Sequence, residues 1–466
     1  MVFSSTIFVY FFLPITLILY FLLNDKYKKP ILLFMSLGFY VFTGKLNFIY
    51  IIILAILNYG FGFIIHKYRS KISLLFAISV DVFVLFYFKY INYLLDKINQ
   101  YLHTDIPLFE LIIPLGISFV VFSMISYLVD IYRDNSIFTK NILDVGLYFF
   151  LFTKILQGPI ILYKDFIKQV NHISVNFDSF LNGVERFIVG LFKKVFIADT
   201  LIDLTTNLLS DWTQSGIDIP THWLVLVSYM FAIYFDWSGY SDMAIGISRM
   251  LGFDFKENFN FPYISTSISE FWRRWHISLG NWFKEYVYFP LGGSRRGNVY
   301  VNLIVVFILT GIWHGAGILY LLWGLIHGLV RVLEKLLMKK ELFEKIPKGI
   351  RWIYVTLVVS FGWLIFLMPS KATLFPFLLE MFNLKDVGFV QFSFKYYFSN
   401  KIATILLIAL LGSYVLPVVD LNRFNEKMKN NKLLVASKYL LLIFMFGISL
   451  MIVMSGSYSP FIYFQF

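Results

Sequence analysis

Of the 466 residues, 59% are hydrophobic and 20% aromatic, and the mean hydropathy is +0.73, an apolar share that excludes an ordinary soluble domain. The formal charge of +12 resides in short loops between apolar runs, where membrane topology accounts for it. No basic stripe with base-stacking aromatics stands on a soluble face, so no nucleic-acid partner is expected. The chain has no cysteine, which excludes disulfides, thiolate metal sites and thiol nucleophiles, so a covalent intermediate would have to form on oxygen or nitrogen.

Apolar runs predict helical membrane crossings at 3–23, 31–43, 46–65, 72–88, 108–129, 142–163, 222–250, 299–313, 317–337, 352–368, 402–418 and 437–455. The runs are too long and unbroken for the alternating strands of a membrane barrel. The predicted class is therefore an all-α polytopic membrane protein of about 11–12 transmembrane helices. No basic residue precedes the first run, which reads as a retained helix rather than a cleaved signal peptide. With the N-terminus outside, the inner loops carry seventeen Lys and Arg and the outer ones six, which predicts both termini extracytoplasmic. Residues 182–204 carry Glu185, Arg186, Lys193, Lys194 and Asp199, so they read as interfacial or buried among other helices. No internal repeat or long linker divides the chain, and 1–466 reads as one membrane domain.

In YFDWSGYSDMAIG, Asp236, Ser238, Tyr240, Ser241 and Asp242 lie in an apolar segment with Gly239 and Gly246. The two carboxylates could be general acids, but bracing helices through basic residues and backbone amides is the preferred reading. Next, 267–284 sets Trp272, Trp275, Leu279, Trp282 and Phe283 on one helical face, largely opposite Glu270, Arg273, Arg274, Ser278, Asn281 and Lys284. This predicts one amphipathic helix at the cytoplasmic surface, its tryptophans at headgroup level. His276 within it does not by itself indicate catalysis. The run LGGSRRGN after Pro290 is a flexible turn whose amides and whose Arg295 and Arg296 could hold phosphates, although a positive-inside loop explains it equally simply.

His314 falls within a long apolar run beside Gly311, Gly315 and Gly317. An ionisable side chain at that depth is a functional candidate. Apolar burial favours the neutral imidazole, which can take a proton from an attacking hydroxyl, and the glycines would allow close helix approach and leave room for a substrate. A lone buried histidine can also merely bond a neighbouring helix, and for His327 that reading is preferred. Thirteen residues separate the two histidines, with no HExxH spacing and no nearby carboxylate, so no metal site is expected.

Read together, the blocks MVFSSTIFVYFFLP at the start, VGLFKKVFIADTL at 189–201, YFDWSGYSDMAIG at 234–246, NFNFPYISTSISEFWRRWHISLGNWFKEYVYFPLGG at 258–293, GIWHGAG at 311–317 and the closing FIYFQF resemble the membrane-bound O-acyltransferase (MBOAT) superfamily. The likeness is strongest to its bacterial alginate O-acetyltransferase branch, and YFPLGGSR looks like that branch rather than the sister branch that D-alanylates teichoic acids. The resemblance implies a ring of helices with re-entrant and interfacial elements around a central funnel, open to a donor from the cytoplasm and to an acceptor outside. It makes 258–330 the catalytic core segment and carries the family's intramembrane catalytic histidine onto His314 and its second motif histidine onto His276. It further implies acetyl-CoA as donor substrate with no bound cofactor, a polysaccharide acceptor, and an extracytoplasmic partner of acetyltransferase or esterase fold in a bacterial plasma membrane. Gly-Pro-Ile at 158–160 matches the family, whereas Lys154 and Gln157 before it depart from the common pattern.

Arg273, Arg274, Arg295 and Arg296 are the candidate donor-binding cations. Asp236, Tyr240, Asp242 and Asn281 are the supporting polar residues. The uncharged tail after the last helix holds five aromatic residues and should fold back into the membrane rather than hang in water. Similar tails with a central tyrosine accompany relatives that pass acyl groups outward, which makes Tyr463 a candidate acyl carrier; an aromatic interfacial anchor is the simpler alternative. Two rival functions remain at this stage. One is a D-alanyl or other acyl transferase fed by a carrier-protein thioester, and the other is a polysaccharide or lipid transporter or flippase.

Overall fold

The computed structural model describes residues 1–44, 47–114, 116–368, 370–416 and 431–456. Among these the secondary structure is helical, and a single isolated bridge joins Ile217 and Phe392. Four helices, Phe48–Tyr68, Lys71–Leu102, Lys348–Leu367 and Lys432–Met454, are long and apolar enough to cross a membrane, and Phe8–Leu22, Val299–His314 and Asn400–Val415 are shorter apolar helices. The chain is an all-α polytopic membrane protein. It forms two compact units interleaved in sequence, Met1–Phe187 with Met243–Glu257 and Asn281–Val287, and Ile188–Asp242 with Asn258–Gly280 and Tyr288–Phe466.

In the first unit the Ile117–Arg133 helix is buried along most of its length and packs against Phe48–Tyr68 and Lys71–Leu102. Gly62 permits the approach, because a Cβ there would lie 2.6 Å from the Tyr127 ring. Two predicted crossings of this unit are incomplete. Residues 108–114 are not helical, and the helix begins only after Gly116, at φ 70°, because Pro107 and Pro114 withhold backbone donors. The run 142–163 is helical over Ile142–Phe150 and for one turn at Phe152–Ile155, then bends at 156–158 and continues as buried irregular backbone up to Tyr163.

Buried irregular backbone needs partners where water is excluded, and side chains supply them. The Phe152 amide donates to Ser36 Oγ (3.2 Å), the Tyr148 hydroxyl to the Ile161 carbonyl (2.9 Å), the Tyr163 amide to Ser126 Oγ (2.9 Å) and the Lys164 amide to Asp130 (3.0 Å). Lys154 is buried in this stretch, with Nζ 3.0 Å from Ser123 Oγ and 3.8 Å from the centre of the Tyr148 ring. Gly158 lies against the Lys154 backbone, where a Cβ would come within 2.7 Å of Cα. The departure from the family pattern at Lys154 therefore falls inside the packed turn that holds Gly158 and Pro159.

In the second unit, a π turn at Lys193–Ala198 joins Phe177–Phe192 to Asp199–Ser215. The turn is buried among helices rather than interfacial. Lys194, fully buried, lies 2.6 Å from both Asp199 and Asp236, and Lys193 lies 2.6 Å from Asp242. Gly239 lets the two backbones approach, since a Cβ there would stand 2.8 Å from the Gly190 carbonyl.

Candidate active site

The second unit carries a tight helical hairpin, Val299–His314 and Ile318–Lys339, packed along their lengths. Asn298 starts it by accepting from the Tyr300 and Val301 amides. Two glycines set the spacing, since a Cβ on Gly311 would overlap the Tyr320 carbonyl and one on Gly324 the Phe307 carbonyl. Gly315 faces the Tyr320 ring. The space beside Gly311 and Gly315 is therefore taken by the partner helix, which corrects the expectation that these glycines leave room for a substrate.

His314 is the last residue of its helix, and extended backbone follows at Gly315. Among the described residues the rings of Trp313, Trp323 and Phe366 stand around the imidazole. Phe366 and Trp323 are edge-on at centroid distances of 4.9 and 5.2 Å, and Trp313 is at 4.9 Å. Trp323 also packs on His327 at 4.5 Å, and Trp272 on both Trp323 and His327. His327 donates Nδ1–H to the Trp323 carbonyl at 2.9 Å and touches Gly362, where a Cβ would stand 3.0 Å from its ring. The bond is to the carbonyl four residues back in its own helix, so it differs from the expected bond to a neighbouring helix, and only ring packing and the Gly362 contact reach beyond that helix.

His276 has a different setting. The expected single helix over 267–284 is two, Ile268–Arg274 and Ile277–Phe283, broken where Trp275 is extended and His276 takes a left-handed φ of 44°. Asn258 holds the break: its Oδ1 accepts from Ser278 N (3.1 Å), Ser278 Oγ (2.8 Å) and His276 Nδ1 (3.2 Å), and its carbonyl from the Ile277 amide. Its Nδ2 donates to Ser241 Oγ at 3.0 Å. His276 Nε2 has no hydrogen-bond partner among the described residues, and the Trp237 ring stands edge-on at 4.7 Å. Burial pushes this imidazole down to about 3, so it is neutral at any ordinary pH. The histidines at 276, 314 and 327 are 3, 6 and 2% exposed, so burial does not distinguish them; their partners do.

Trp275, Leu279, Trp282 and Phe283 are buried, so these side chains pack inside the protein rather than standing at headgroup level. The helix Ile268–Arg274 is instead capped from within. Ser267 Oγ accepts from the Glu270 amide (2.9 Å), and buried Glu334 accepts from the Ile268 and Ser269 amides at 2.5 and 2.9 Å. A carboxylate suits a helix N-terminus. Arg331 lies 3.5 Å from Glu334. The sequence reading passed over Glu334, although a glutamate three residues after an arginine in an apolar run was signal enough.

Among the described residues no ion pair or shared partner gathers the candidate donor cations into one cluster. Arg273, Arg295 and Arg296 are exposed, whereas Arg274 is bound to Glu270 (3.0 Å) and to the Asn260 carbonyl (3.1 Å). Four of the expected phosphate-cradling amides are occupied. The Gly292, Gly293, Arg295 and Arg296 amides donate to carbonyls of Phe289, Tyr288 and Gly292, and Asn302 clamps Leu291 and Gly293 from below. Gly292, Gly293 and Gly297 have φ of 103, 61 and 71°, so the turn is wound tight by glycine geometry. The arginine side chains and the Ser294 and Gly297 amides are left for an anion.

Asp236 and Asp242 meet Lys194 and Lys193, and Tyr240 is buried between them in sequence. Asn281, exposed, belongs to the first unit. Tyr463 lies outside the described residues, as does the rest of 457–466. Among the described residues no group of histidine and carboxylate side chains is arranged to hold a metal.

Residues 138–378 match the model of MBOAT, the membrane-bound O-acyltransferase family. The chain belongs to this family. It is 37% identical over 421 residues to the probable alginate O-acetylase AlgI of Azotobacter vinelandii, covering 87% of this chain and 83% of that one. It is 30% identical over 439 residues to the peptidoglycan O-acetyltransferase of Helicobacter pylori, covering 84% and 82%. The teichoic acid D-alanyltransferase of Bacillus subtilis is 29% identical over 260 residues, covering 53% and 64%. The chain is thus a membrane O-acyltransferase, and both O-acetylating relatives match it over a larger share than the D-alanylating one.

Proposed function

We propose that this MBOAT protein transfers acetyl groups from cytoplasmic acetyl-CoA, across the membrane, to hydroxyls of an extracellular or cell-wall polysaccharide, with His314 as general base. The observation that carries the reading is the setting of His314: a histidine at a helix terminus, walled by Trp313, Trp323 and Phe366. An imidazole in such a dry site takes the proton of the attacking hydroxyl as oxygen adds to the thioester carbonyl. When the tetrahedral intermediate collapses, that proton goes to the departing thiolate, giving an ester and free CoA. The names of the two O-acetylating relatives support acetyl as the acyl group and a polysaccharide or cell-wall glycan as acceptor.

The exposed Arg273, Arg295 and Arg296 support a cytoplasmic entry for the donor, since CoA phosphates seek cations. The excess of Lys and Arg in the loops assigned inside supports extracytoplasmic termini in a bacterial plasma membrane. In this reading an extracytoplasmic partner completes transfer to the polymer, and Tyr463 carries the acetyl group to it as a tyrosyl ester. His276, held by Asn258, positions the segment before the hairpin.

The test is release of free thiol from acetyl-CoA by the reconstituted protein in the presence of polymer and partner. The reading expects release by the wild type and a loss of roughly 10²–10⁴-fold in His314→Ala. Release only from a carrier-protein thioester would establish the D-alanyl-type reading. Polymer translocation without thiol release would establish a transporter.

A further inference from the structure

A second chemical environment in the second unit lies outside the His314 surroundings. A cavity of about 530 Å³ lies between the Lys193–Ala198 turn with its continuation Asp199–Ser215, the start of Asn400–Leu410 and the end of Lys432–Met454. Its two sides differ. Asp199, Asp203 and Asn207 recur every fourth residue and so share one helical face. Asp199 shares Lys194 with Asp236, each at 2.6 Å, whereas the exposed Asp203 makes no ion pair among the described residues and only feels Lys194 and Lys401 through space. Across the cavity stands Lys401, exposed in the first turn of its helix. Among the described residues neither Asp203 nor Lys401 closes an ion pair, although both line the same space. Apart from Thr200, whose hydroxyl donates to the Phe196 carbonyl at 2.9 Å, the remaining wall is apolar and includes Ile402, Ile448, Ile452, Val195 and Leu204.

A carboxylate and an ammonium that face one cavity without meeting call for a ligand bearing both complementary charges. The apolar wall calls for that ligand to continue as hydrocarbon. We propose that the cavity binds the headgroup of an ethanolamine phospholipid, its ammonium donating to Asp203 and Asn207 and its phosphate accepting from Lys401. The glycerol esters and first acyl carbons then run along Ile448 and Ile452. A choline headgroup has no N–H to donate to the carboxylate, and a glycerol headgroup has no cation. Either one leaves one wall without its partner.

The full chain is purified from lipid discs that contain phosphatidylethanolamine, phosphatidylcholine and phosphatidylglycerol in equal amounts, and retained lipid is read by native mass spectrometry. The expected result is retention of phosphatidylethanolamine at least about fivefold over each of the others, the discrimination of one charge-assisted contact at a partly exposed site. In Asp203→Asn and Lys401→Gln the ratio falls to about one, while the helical circular dichroism of these exposed-residue variants matches the wild type. Three results overturn the assignment. One is equal retention of the three lipids by the wild type. Another is displacement of the lipid by an equal concentration of soluble phosphoethanolamine, which would show that the acyl chains add nothing. The third is cross-linking of a photoreactive residue at position 204, an apolar lining position with no headgroup contact, to the last ten residues of the chain, which would show that the protein's own terminus fills the space.

Discussion

Two buried histidines, His314 and His276, stand in the same unit and differ in what holds them. His314 ends a helix and is surrounded by the rings of Trp313, Trp323 and Phe366. His276 occupies a left-handed kink, and Asn258 takes its Nδ1 proton together with two bonds from Ser278. A side chain fixed by a hydrogen-bonded hub at a strained backbone position serves the fold first. One placed at a helix end is held by the helix and by the packed rings of Trp313, Trp323 and Phe366, with regular backbone up to its own position. Burial alone makes neither one catalytic; local architecture separates them.

The largest effect expected from this contrast is on turnover. His314→Ala lowers acetyl transfer by roughly 10²–10⁴-fold while the purified protein keeps its thermal unfolding transition. Close behind is a change of stability alone. Lys194→Met strands Asp199 and Asp236 in the interior, and breaking such a pair costs about 3–5 kcal/mol, visible as a lowered melting temperature in detergent. If that variant melted like the wild type, the bracing role of the lysine would be wrong.

Asn258→Ala removes the acceptor of three hydrogen bonds at the kink. It should cost about 1–3 kcal/mol of stability, with activity recovering when the assay is run at lower temperature. His276→Asn is milder still, because asparagine tolerates a positive φ. Its activity should remain within about tenfold of wild type, a bound set well below the general-base effect. Since burial pushes His276 down to about 3, its protonation lies below any working range, and the pH–rate profiles of wild type and His276→Asn should coincide between roughly pH 5 and 8. A shifted profile would give His276 a chemical role. The smallest effect belongs to the exposed arginines: Arg295→Gln with Arg296→Gln should raise the KM for acetyl-CoA a few-fold, in line with exposed ion pairs worth about 0.2–1 kcal/mol each, and leave kcat unchanged.

Much of this was legible in the residues. The apolar runs located the helices, and the cost of an ionisable group in an apolar run singled out His314. The preference of Asp236 and Asp242 for basic partners was readable, but the identity of those partners was not, because Lys193 and Lys194 meet them only through a π turn that no local pattern announces. The amphipathic period over 267–284 ran straight through His276, since periodicity registers side-chain faces and not a single residue at positive φ. The hub that stabilises the kink, Asn258, is a lone polar residue among phenylalanines, and its role depends on contacts 18 and 20 residues away. Proline, by contrast, was a readable sign at 107, 114 and 159, where predicted crossings gave way to irregular backbone.

The measurement that bears most directly on the central claim is a paired single-turnover experiment on His314→Gln and His276→Asn, each with its melting temperature, using acetyl-CoA and the same acceptor as the wild type. Glutamine keeps much of the volume of the imidazole but cannot act as its base. The account predicts that His314→Gln loses the acetyl-transfer step by at least about 100-fold with an unchanged melting temperature, while His276→Asn transfers within about tenfold of wild type. Transfer at the wild-type rate by a folded His314→Gln protein, or equal losses in both variants, would contradict it.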